Sequence, residues 1–327
     1  MTIALLVTVD TEEEFDWESV GSTPAWSMHH AAHLGWFQEL CESFGVKPTY
    51  VIDYPFATTK ESVEALRGPH ERGACEIGAH PHPWVNPPIR EELTTRNTYL
   101  SNLPLDLQHD KVMVLTDAIR QAFGHQPRSF KAGRYGFDLA LAPFLSSLGY
   151  RIDSSVMPFC DFTGDGGPDY RTAKWRPHWL NGSDPSEPTL LEIPCTSGFN
   201  RWPFESWNSW FQQSGESPLR SFRIRGILDR LSILRHIVLS PELASESDCV
   251  TLMLQIAAHP PALLNVTLHS PSVMPGCTPF VRTEQDLHRF RERLTAIFRV
   301  AVRELGARPM THSEFHDHFS RLETNRP

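Results

Sequence analysis

The sequence lacks the cysteine patterns that hold small secreted domains together or form zinc fingers. Its six cysteines are far apart and include no Cys-x-x-Cys pair. Disulfide-stapled domains instead carry dense cysteine frameworks. We therefore expect free, buried thiols at all six positions, which are Cys41, Cys75, Cys160, Cys195, Cys249 and Cys277.

Long apolar runs and a secretion signal are also missing. No apolar run approaches the roughly 18 to 20 residues that cross a bilayer. The first residues, MTIALLVTVDTEEEFDW, pass from a short apolar stretch directly into acidic residues, without the basic segment and cleavage site of a signal peptide. We expect a soluble, cytoplasmic protein with no integral membrane segment.

The sequence also has fewer basic than acidic residues. The net charge is −9, from 30 Lys and Arg against 39 Asp and Glu, and the basic residues are scattered along the chain. Nucleic acids and anionic membranes bind clustered basic residues. We therefore expect no nucleic-acid partner, and a neutral or cationic small substrate fits the charge better.

What the chain does have is a large apolar share and an alternating pattern. Its 327 residues, 40% of them hydrophobic, suffice for one barrel with insertions or for two ordinary domains. Neither a linker nor an internal repeat divides the sequence. Short apolar runs alternate with longer segments of helical period, as in βα-repeating folds. We expect a single domain over residues 1–327.

The predicted elements cover most of the chain. The stretch at about 158–188 is rich in Gly, Pro, Asp and Trp, and we expect a long irregular insertion there, of the kind that forms lids or binding walls. Strands are predicted at 3–9, 47–53, 75–80, 129–132, 150–156, 190–194 and 263–268, with 308–311 as a closing strand. Helices are predicted at about 29–44, 59–66, 107–123, 138–147, 217–238, 247–258 and 284–304.

Three predicted strands end in polar side chains that can carry chemistry. The first ends in Asp10 and Glu12, the third in His80 and His82, and the strand at 263–268 in His269. In a β/α barrel the carboxyl ends of all strands face one rim, where functional groups collect. We therefore expect residues from the front, middle and back of the chain to meet in one site.

These strand ends supply a possible set of metal ligands, Glu12, His80 and His82. One carboxylate and two imidazoles make a donor set that Zn²⁺ and similar ions accept, with positions left open for water and substrate. For the acidic segment alone, a solvated turn is an equal alternative, because Glu12 belongs to a run of three glutamates. A lone histidine at a strand end is commonly a hydrogen-bonded structural residue.

Three further charged residues are candidates for proton transfer or positioning. His269 can donate a proton to a leaving amine, and Arg134, between two glycines, can orient a carboxylate such as Asp10. Asp153, at a strand end, can pair with a histidine or an arginine. For each of them taken singly, a core histidine or a structural salt bridge is the commoner explanation.

The order of these motifs resembles the polysaccharide deacetylases of the NodB-homology, or carbohydrate esterase four, group. The resemblance rests on TVDTEEEFDW, EIGAHPHPW, KAGRYGFD, YRIDSS and LHSPSVMPG, looks most like a WalW-type branch, and spans roughly residues 3 to 315. It implies a distorted (β/α)7 TIM-like barrel that removes acetyl groups from N-acetylated sugars with a metal-activated water. By motif position, Asp10 resembles the catalytic base, Arg134 the arginine that holds it, His269 the general acid, and Asp153 the carboxylate that tunes this acid.

The metal-binding motifs depart from the family pattern. Thr11 separates two acids that are adjacent in the common motif, so Glu12 takes the place of the metal-binding acid. His80 resembles the first metal-binding histidine. The position of the second is Trp84 here, so that either His82 supplies this ligand or the site lacks one.

We therefore expect an enzyme, a metal-dependent hydrolase with Zn²⁺ that deacetylates an N-acetylated saccharide or glycoconjugate. Trp84, Tyr135 and Trp17 are the expected substrate contacts. One alternative is a hydrolase of the same fold that acts on a small non-sugar amide, such as a cyclic ureide or imide. Another is a catalytically silent carbohydrate-binding protein, whose tryptophans, Trp179 and Trp202 among them, stack on sugar.

Overall fold

The computed structural model describes residues 3–17, 26–181, 188–216 and 233–324. Within them, seven parallel strands with helices around them curl into a distorted β/α barrel, and two further strands pair with this sheet, which confirms the predicted fold class. The strands of the described residues are β1 (Ala4–Thr11), β2 (Thr49–Ile52), β3 (Glu76–Ala79), β4 (Ser129–Phe130), β5 (Ile152–Asp153), β6 (His178–Asn181), β7 (Pro188–Glu192), β8 (Ser197–Phe199), β9 (His236–Val238), β10 (Leu263–His269) and β11 (Arg308–Pro309).

Seven parallel strands form the barrel wall, in the order β10-β1-β2-β3-β4-β5-β7. β6 joins β7 antiparallel, and β11 pairs with the start of β1. All eight residues of β1 are buried. A continuous aliphatic strand of this kind is typical of parallel sheets that are covered on both faces.

The barrel closes between β7 and β10 without a continuous ladder. β8 and β9 form a separate antiparallel pair. Next to them, the backbone N–H of Thr196 donates to the carbonyl of Asn265 at 3.3 Å, and that of Thr267 donates to Leu239 at 3.1 Å. These single hydrogen bonds take the place of strand pairing, which is why the barrel is distorted.

Two of the predicted helices show clear end signals, whereas the helices at Phe204–Glu216 and His312–Thr324 are not among the predicted ones. Gly124 ends one predicted helix in a left-handed conformation with φ of 74°, and a capping box of Thr283 and Asp286 begins another. The α-helices of the described residues are α1 (Leu34–Ser43), α2 (Tyr54–Thr58), α3 (Lys60–Glu71), α4 (Leu105–Phe123), α5 (Ala142–Leu148), α6 (Phe204–Glu216), α7 (Glu246–Ala257), α8 (Glu284–Phe298) and α9 (His312–Thr324).

Three expectations about less regular parts of the chain need correction. Residues 217–232 of the helix predicted at about 217–238 lie outside the described residues, and the remainder contains the strand β9. The insertion at about 158–188 is not irregular throughout, because His178–Asn181 pairs with β7. The C-terminal stretch with His312, His316 and His318 has the composition of a surface segment, yet His312 is fully buried, with its Nε2 2.7 Å from the hydroxyl of Thr8.

The cysteines are in the state that the sequence predicts. All six cysteines are free, although Cys160 and Cys277 are only half-buried. Among the helices in the described ranges, none combines the length and apolar character needed to cross a membrane.

Candidate metal centre

The register of the parallel strands brings the polar strand ends to one rim. Asp10 in β1 is the direct partner of His269 in β10. β1 also pairs with β2, and β2 with β3, and the N–H of His80 donates to the carbonyl of Ile52 at 2.8 Å just beyond the last pair. The strand ends that the sequence singles out therefore meet, and they bring together Asp10, Glu12, His80, His82 and His269.

Glu12, His80 and His82 direct three ligand atoms to one point. Oε2 of Glu12 lies 3.4 Å from Nε2 of His80 and 3.3 Å from Nε2 of His82, and the two ring nitrogens are 3.1 Å apart. Each of the three residues is only 2% exposed. A tetrahedral ion with bonds of about 2.0–2.1 Å holds its ligand atoms about 3.3 Å apart, so the spacing fits a metal ion.

Hydrogen bonds on the far side of each ring decide which nitrogen can bind a metal. Nδ1 of His80 lies 2.8 Å from the carbonyl oxygen of Lys131, which can only accept, so this nitrogen donates. Nδ1 of His82 donates to the carboxylate of Glu13 at 2.9 Å, which also accepts from the indole of Trp84 at 2.7 Å. In each ring Nε2 is therefore the nitrogen that remains for a metal ion, and partners of this kind orient metal-binding histidines.

The chemistry of the donor set also fits a cation. Oε1 of Glu12 is buried and has no hydrogen-bond partner within the described residues. Burial opposes ionisation of Glu12, but His269, His80 and His82 outweigh it and lower the pKa of this carboxyl. An ionised carboxylate oxygen and two imidazole nitrogens that converge on one point form a donor set that a metal ion can occupy in place of a proton. These three residues can therefore hold a divalent metal ion.

Asp10 pairs with Lys131 and not with Arg134. The fully buried ammonium of Lys131 donates to both carboxylate oxygens of Asp10, at 2.7 and 2.6 Å. Burial opposes both charges, but their attraction outweighs it, lowering the pKa of Asp10 and raising that of Lys131. The expectation that Arg134 holds Asp10 is wrong, because its guanidinium pairs with Asp165 and lies 4.3 Å from the ring centre of Tyr99.

His269 is held by Glu242. Nδ1 of His269 donates to Oε2 of Glu242 at 2.8 Å, and its Nε2 lies 3.9 Å from Oδ2 of Asp10. Burial disfavours the imidazolium, but the carboxylates of Glu242 and Glu12 outweigh this and raise the pKa of His269 to about 9. At neutral pH the imidazole is therefore protonated and can act as an acid.

Asp153 lies in a separate buried pair of carboxyls. It is the register partner of Glu192 on β7, and the hydroxyl of Ser155 donates to it at 2.6 Å. Burial raises the pKa of Asp153, and burial with the neighbouring Asp153 raises that of Glu192. The expectation that Asp153 tunes His269 is wrong, since Glu242 makes that contact.

The three expected substrate contacts, Trp17, Trp84 and Tyr135, line one cavity of about 270 Å³ beside the metal ligands. The ring of Trp17 meets that of His269 edge-on, with centres 5.0 Å apart. Trp84 stacks on His82 at 4.2 Å, so it supports a metal ligand as well as the cavity wall. The structure thus brings all three side chains together around one cavity.

Aromatic rings form two walls of this cavity. On one side Phe15 stacks on Trp17 at 4.9 Å, and Trp17 meets Phe280 edge-on at 5.4 Å. On the other side Tyr135 stacks on Phe162 at 5.1 Å. The cavity therefore joins a polar floor of acids and histidines to apolar sides.

Sequence reasoning missed Lys131, Glu242 and Glu13. Lys131 directly follows β4, and this strand-end position is the same signal that selects His80, so it could have been found. Glu13 belongs to an acidic run typical of a solvated turn, yet it is fully buried. Glu242 lies between β9 and α7, where no periodic pattern marks it.

Fold and site together define a β/α barrel with three residues that can hold a metal ion at the carboxyl end of its strands. No family model matches the sequence, and no curated protein is similar to it. Solved structures do share its fold. A putative glycoside hydrolase/deacetylase from Parabacteroides distasonis superposes with a TM-score of 0.59 at 10% identity, over 98% of this chain and 72% of that one.

Two further structures extend this comparison. A putative polysaccharide deacetylase from Mycobacterium smegmatis gives a TM-score of 0.53 at 13% identity, over 100% of this chain and 93% of that one. A 4-alpha-glucanotransferase from Thermococcus litoralis gives 0.52 at 13% identity, over 97% of this chain and 39% of that one. The resemblance to polysaccharide deacetylases inferred from the motifs is therefore confirmed at the level of the fold.

Proposed function

We propose that this protein is a metal-dependent deacetylase that hydrolyses the acetamide bond of an N-acetylated saccharide or glycoconjugate. One observation carries the proposal: the side chains of Asp10 and His269 lie 3.9 Å apart, in one cavity with three residues that can hold a metal ion. Amide hydrolysis needs a base for the attacking water, an acid for the leaving nitrogen and stabilisation of the oxyanion. The cavity contains candidates for each.

Glu12, His80 and His82 would hold the ion, which we take to be Zn²⁺, because zinc enzymes use two histidines and one carboxylate in this way. When bound, the ion supplies a Lewis acid for the carbonyl oxygen and lowers the pKa of water. Glu13 and the backbone carbonyl of Lys131 fix the orientation of the two imidazoles.

Asp10 and His269 divide the proton transfers. Lys131 keeps Asp10 ionised, so Asp10 accepts the proton of the attacking water. Glu242 keeps His269 protonated and leaves its Nε2 free to donate to the departing nitrogen. Because these two residues are register partners on adjacent strands, a base and an acid flank the same bond.

The cavity supports a saccharide of small size. Its volume of about 270 Å³ lies just below the roughly 300–1,000 Å³ of sites for drug-sized ligands, so it has room for about one sugar unit. Aromatic faces such as those of Trp17 and Tyr135 pack against the C–H faces of sugars. A shared fold does not define an activity, but two of the three structures named above carry deacetylase in their names, which agrees with the proposal.

Metal content and acetate release test the proposal together. We expect the purified chain to bind one equivalent of Zn²⁺ and to release acetate from at least one member of a panel of N-acetylated saccharides. His80→Ala should lose both metal and activity. His269→Ala should keep the metal and lose turnover by about 10²–10⁴-fold, since it removes only the proton donor.

Three results would contradict the proposal. A wild-type chain that binds sugar but no metal would be a silent carbohydrate-binding protein. Turnover of cyclic ureides or imides, without acetate release from any saccharide, would overturn the substrate class. A His80→Ala variant with wild-type metal content and activity would overturn the ligand assignment.

A further inference from the structure

The loop that follows the metal ligand His82 has fewer backbone N–H donors than carbonyl acceptors. Residues 83–91 read PWVNPPIRE, so that three of nine positions are proline. Proline has no N–H group, and a loop of this composition has more carbonyl acceptors than amide donors. The missing donors must come from another part of the molecule.

A buried ammonium supplies them. Lys111, in the middle of α4, is fully buried, and its Nζ donates to the carbonyls of Pro83, Asn86 and Pro88 at 2.9, 2.7 and 2.9 Å. The carboxylate of Glu91, at the end of the same loop, lies 2.9 Å from this ammonium. Four oxygens of one loop therefore surround a single positive charge.

A reciprocal contact ties the loop to the helix. The side-chain amide of Asn86 donates to the backbone carbonyl of Lys111 at 2.9 Å and to that of Pro87 at 2.8 Å. We call Lys111, Asn86 and Glu91 the lysine clamp. A buried ammonium is costly unless all its hydrogens are bonded, whereas an apolar side chain would pack α4 without this cost. The charge is therefore explained by the carbonyls it binds.

The clamp holds the turn in which a metal ligand lies. The carbonyl of His82 accepts the N–H groups of Val85 and Asn86, at 3.2 and 2.9 Å, and Trp84 stacks on the His82 ring at 4.2 Å. If the loop moves, the backbone of His82 and the indole that supports its ring move with it. Glu13 fixes the rotation of this ring, and the clamp fixes the position of its backbone.

We propose that Lys111 is a positioning residue of the metal centre, whose ammonium serves as a built-in cation that holds residues 83–91 and so keeps His82 in place to bind the metal. This inference rests on the part of the proposed function that makes Glu12, His80 and His82 metal ligands. It does not depend on the identity of the substrate.

The test is the Zn²⁺ affinity of the full-length protein, measured by competition with a chromophoric chelator. We expect Lys111→Met and Lys111→Ala to bind Zn²⁺ about 10- to 100-fold more weakly, the usual effect of losing a residue that supports a metal ligand. The matched control is Lys47→Met, which removes a surface lysine with 43% of its side chain exposed and should not change the affinity. Circular dichroism shows whether each variant is folded.

Chemical rescue separates positioning from general destabilisation. Lys111→Ala removes the atoms of one propylammonium ion, so this ion should restore most of the lost Zn²⁺ affinity in that variant, whereas neutral propanol should not. Zn²⁺ affinities within twofold of the wild type in both Lys111 variants would overturn the inference, and so would lost affinity that propylammonium does not restore.

A second variant covers the case in which both Lys111 variants fail to fold. Asn86→Ala leaves the ammonium in place and removes the hydrogen bond from the loop to the carbonyl of Lys111 in α4. We expect the folded variant to bind Zn²⁺ about tenfold more weakly. Unchanged affinity in this variant would overturn the inference. If the wild-type chain itself binds no Zn²⁺, the proposed function fails as well, whereas equal binding by wild type and variants overturns only the lysine clamp.

Discussion

At the scale of single residues, the candidate base and acid are the expected ones, but the side chains that hold them differ from those expected. An ammonium holds the base where the motif suggests the guanidinium of Arg134, because Lys131 is the first residue beyond β4. Glu242 holds the acid where the motif suggests Asp153. The strand ends determine which groups meet, and they could be found from the sequence. Glu242 could not, because only the fold brings its loop to His269.

The pH dependence of activity distinguishes Glu242 from Asp153. Glu242 raises the pKa of His269 to about 9, so the acid stays protonated and the basic limb of kcat/KM should lie near pH 9. We expect Glu242→Gln to move this limb down toward the ordinary histidine value of about 6.5, because the carboxylate that favours the imidazolium is gone. The measurement is a pH profile of acetate release, which reports the free enzyme.

Asp153→Asn is the matched control for this profile. Asp153 contacts Ser155 and neighbours Glu192, and it does not line the cavity. Its variant should keep the basic limb of the wild type even if the protein is less stable. A limb that moves in Asp153→Asn and stays in Glu242→Gln would contradict the roles assigned to both acids.

At the scale of elements, the local sequence pattern predicts an element well when the signals and hydrogen bonds that define it lie within its own segment. α8 was predictable because Leu287, Phe290 and Leu294 repeat at helical spacing and Thr283 caps its start. β6 was not, because His178–Asn181 becomes a strand only by pairing with β7. The turn after β4 is a second example. It packs tightly against His82, which belongs to the loop after β3, and its own sequence does not show this contact.

Gly133 lies in that turn, and we expect any side chain larger than hydrogen at this position to weaken metal binding. A Cβ atom there would lie 2.4 Å from Cδ2 of His82 and 2.8 Å from the carbonyl oxygen of Pro81. The ring cannot retreat freely, because Glu13 and Trp84 hold it. We expect Gly133→Ala to weaken Zn²⁺ binding at least about tenfold, as when a ligand loses its support, measured by the same chelator competition.

The control for this substitution is Gly35→Ala, in α1. A Cβ atom at Gly35 would meet nothing within 4 Å, and alanine favours a helix over glycine. This variant should bind Zn²⁺ as the wild type does. Equal affinity of the Gly133 and Gly35 variants would show that the contact between Gly133 and His82 does not constrain the centre.

At the scale of the whole molecule, the alternation of strands and helices predicts a βα-repeating fold whose strand ends share one rim, and the resemblance to the polysaccharide deacetylases implies that this fold is a barrel. The way the barrel closes was not predictable, because it depends on hydrogen bonds such as that from Thr267 to Leu239, between segments that carry no strand pattern of their own. A metal ion at this site would add a cross-link between segments that are distant in the sequence. It would join β1 to the loop after β3, two segments about 70 residues apart in the sequence.

Metal binding should therefore stabilise the whole chain. An ion that binds the folded state alone, at 100 times its dissociation constant, adds about 2.7 kcal/mol to the free energy of unfolding. With an unfolding entropy of about 2.1 cal/mol/K per residue, 327 residues convert this into a rise in Tm of about 4 °C. Differential scanning calorimetry with Zn²⁺, and again after addition of a chelator, measures it. His80→Ala, which lacks a ligand, should show no rise. A wild-type Tm that is the same with and without Zn²⁺ would mean that Glu12, His80 and His82 do not hold an ion in the folded protein.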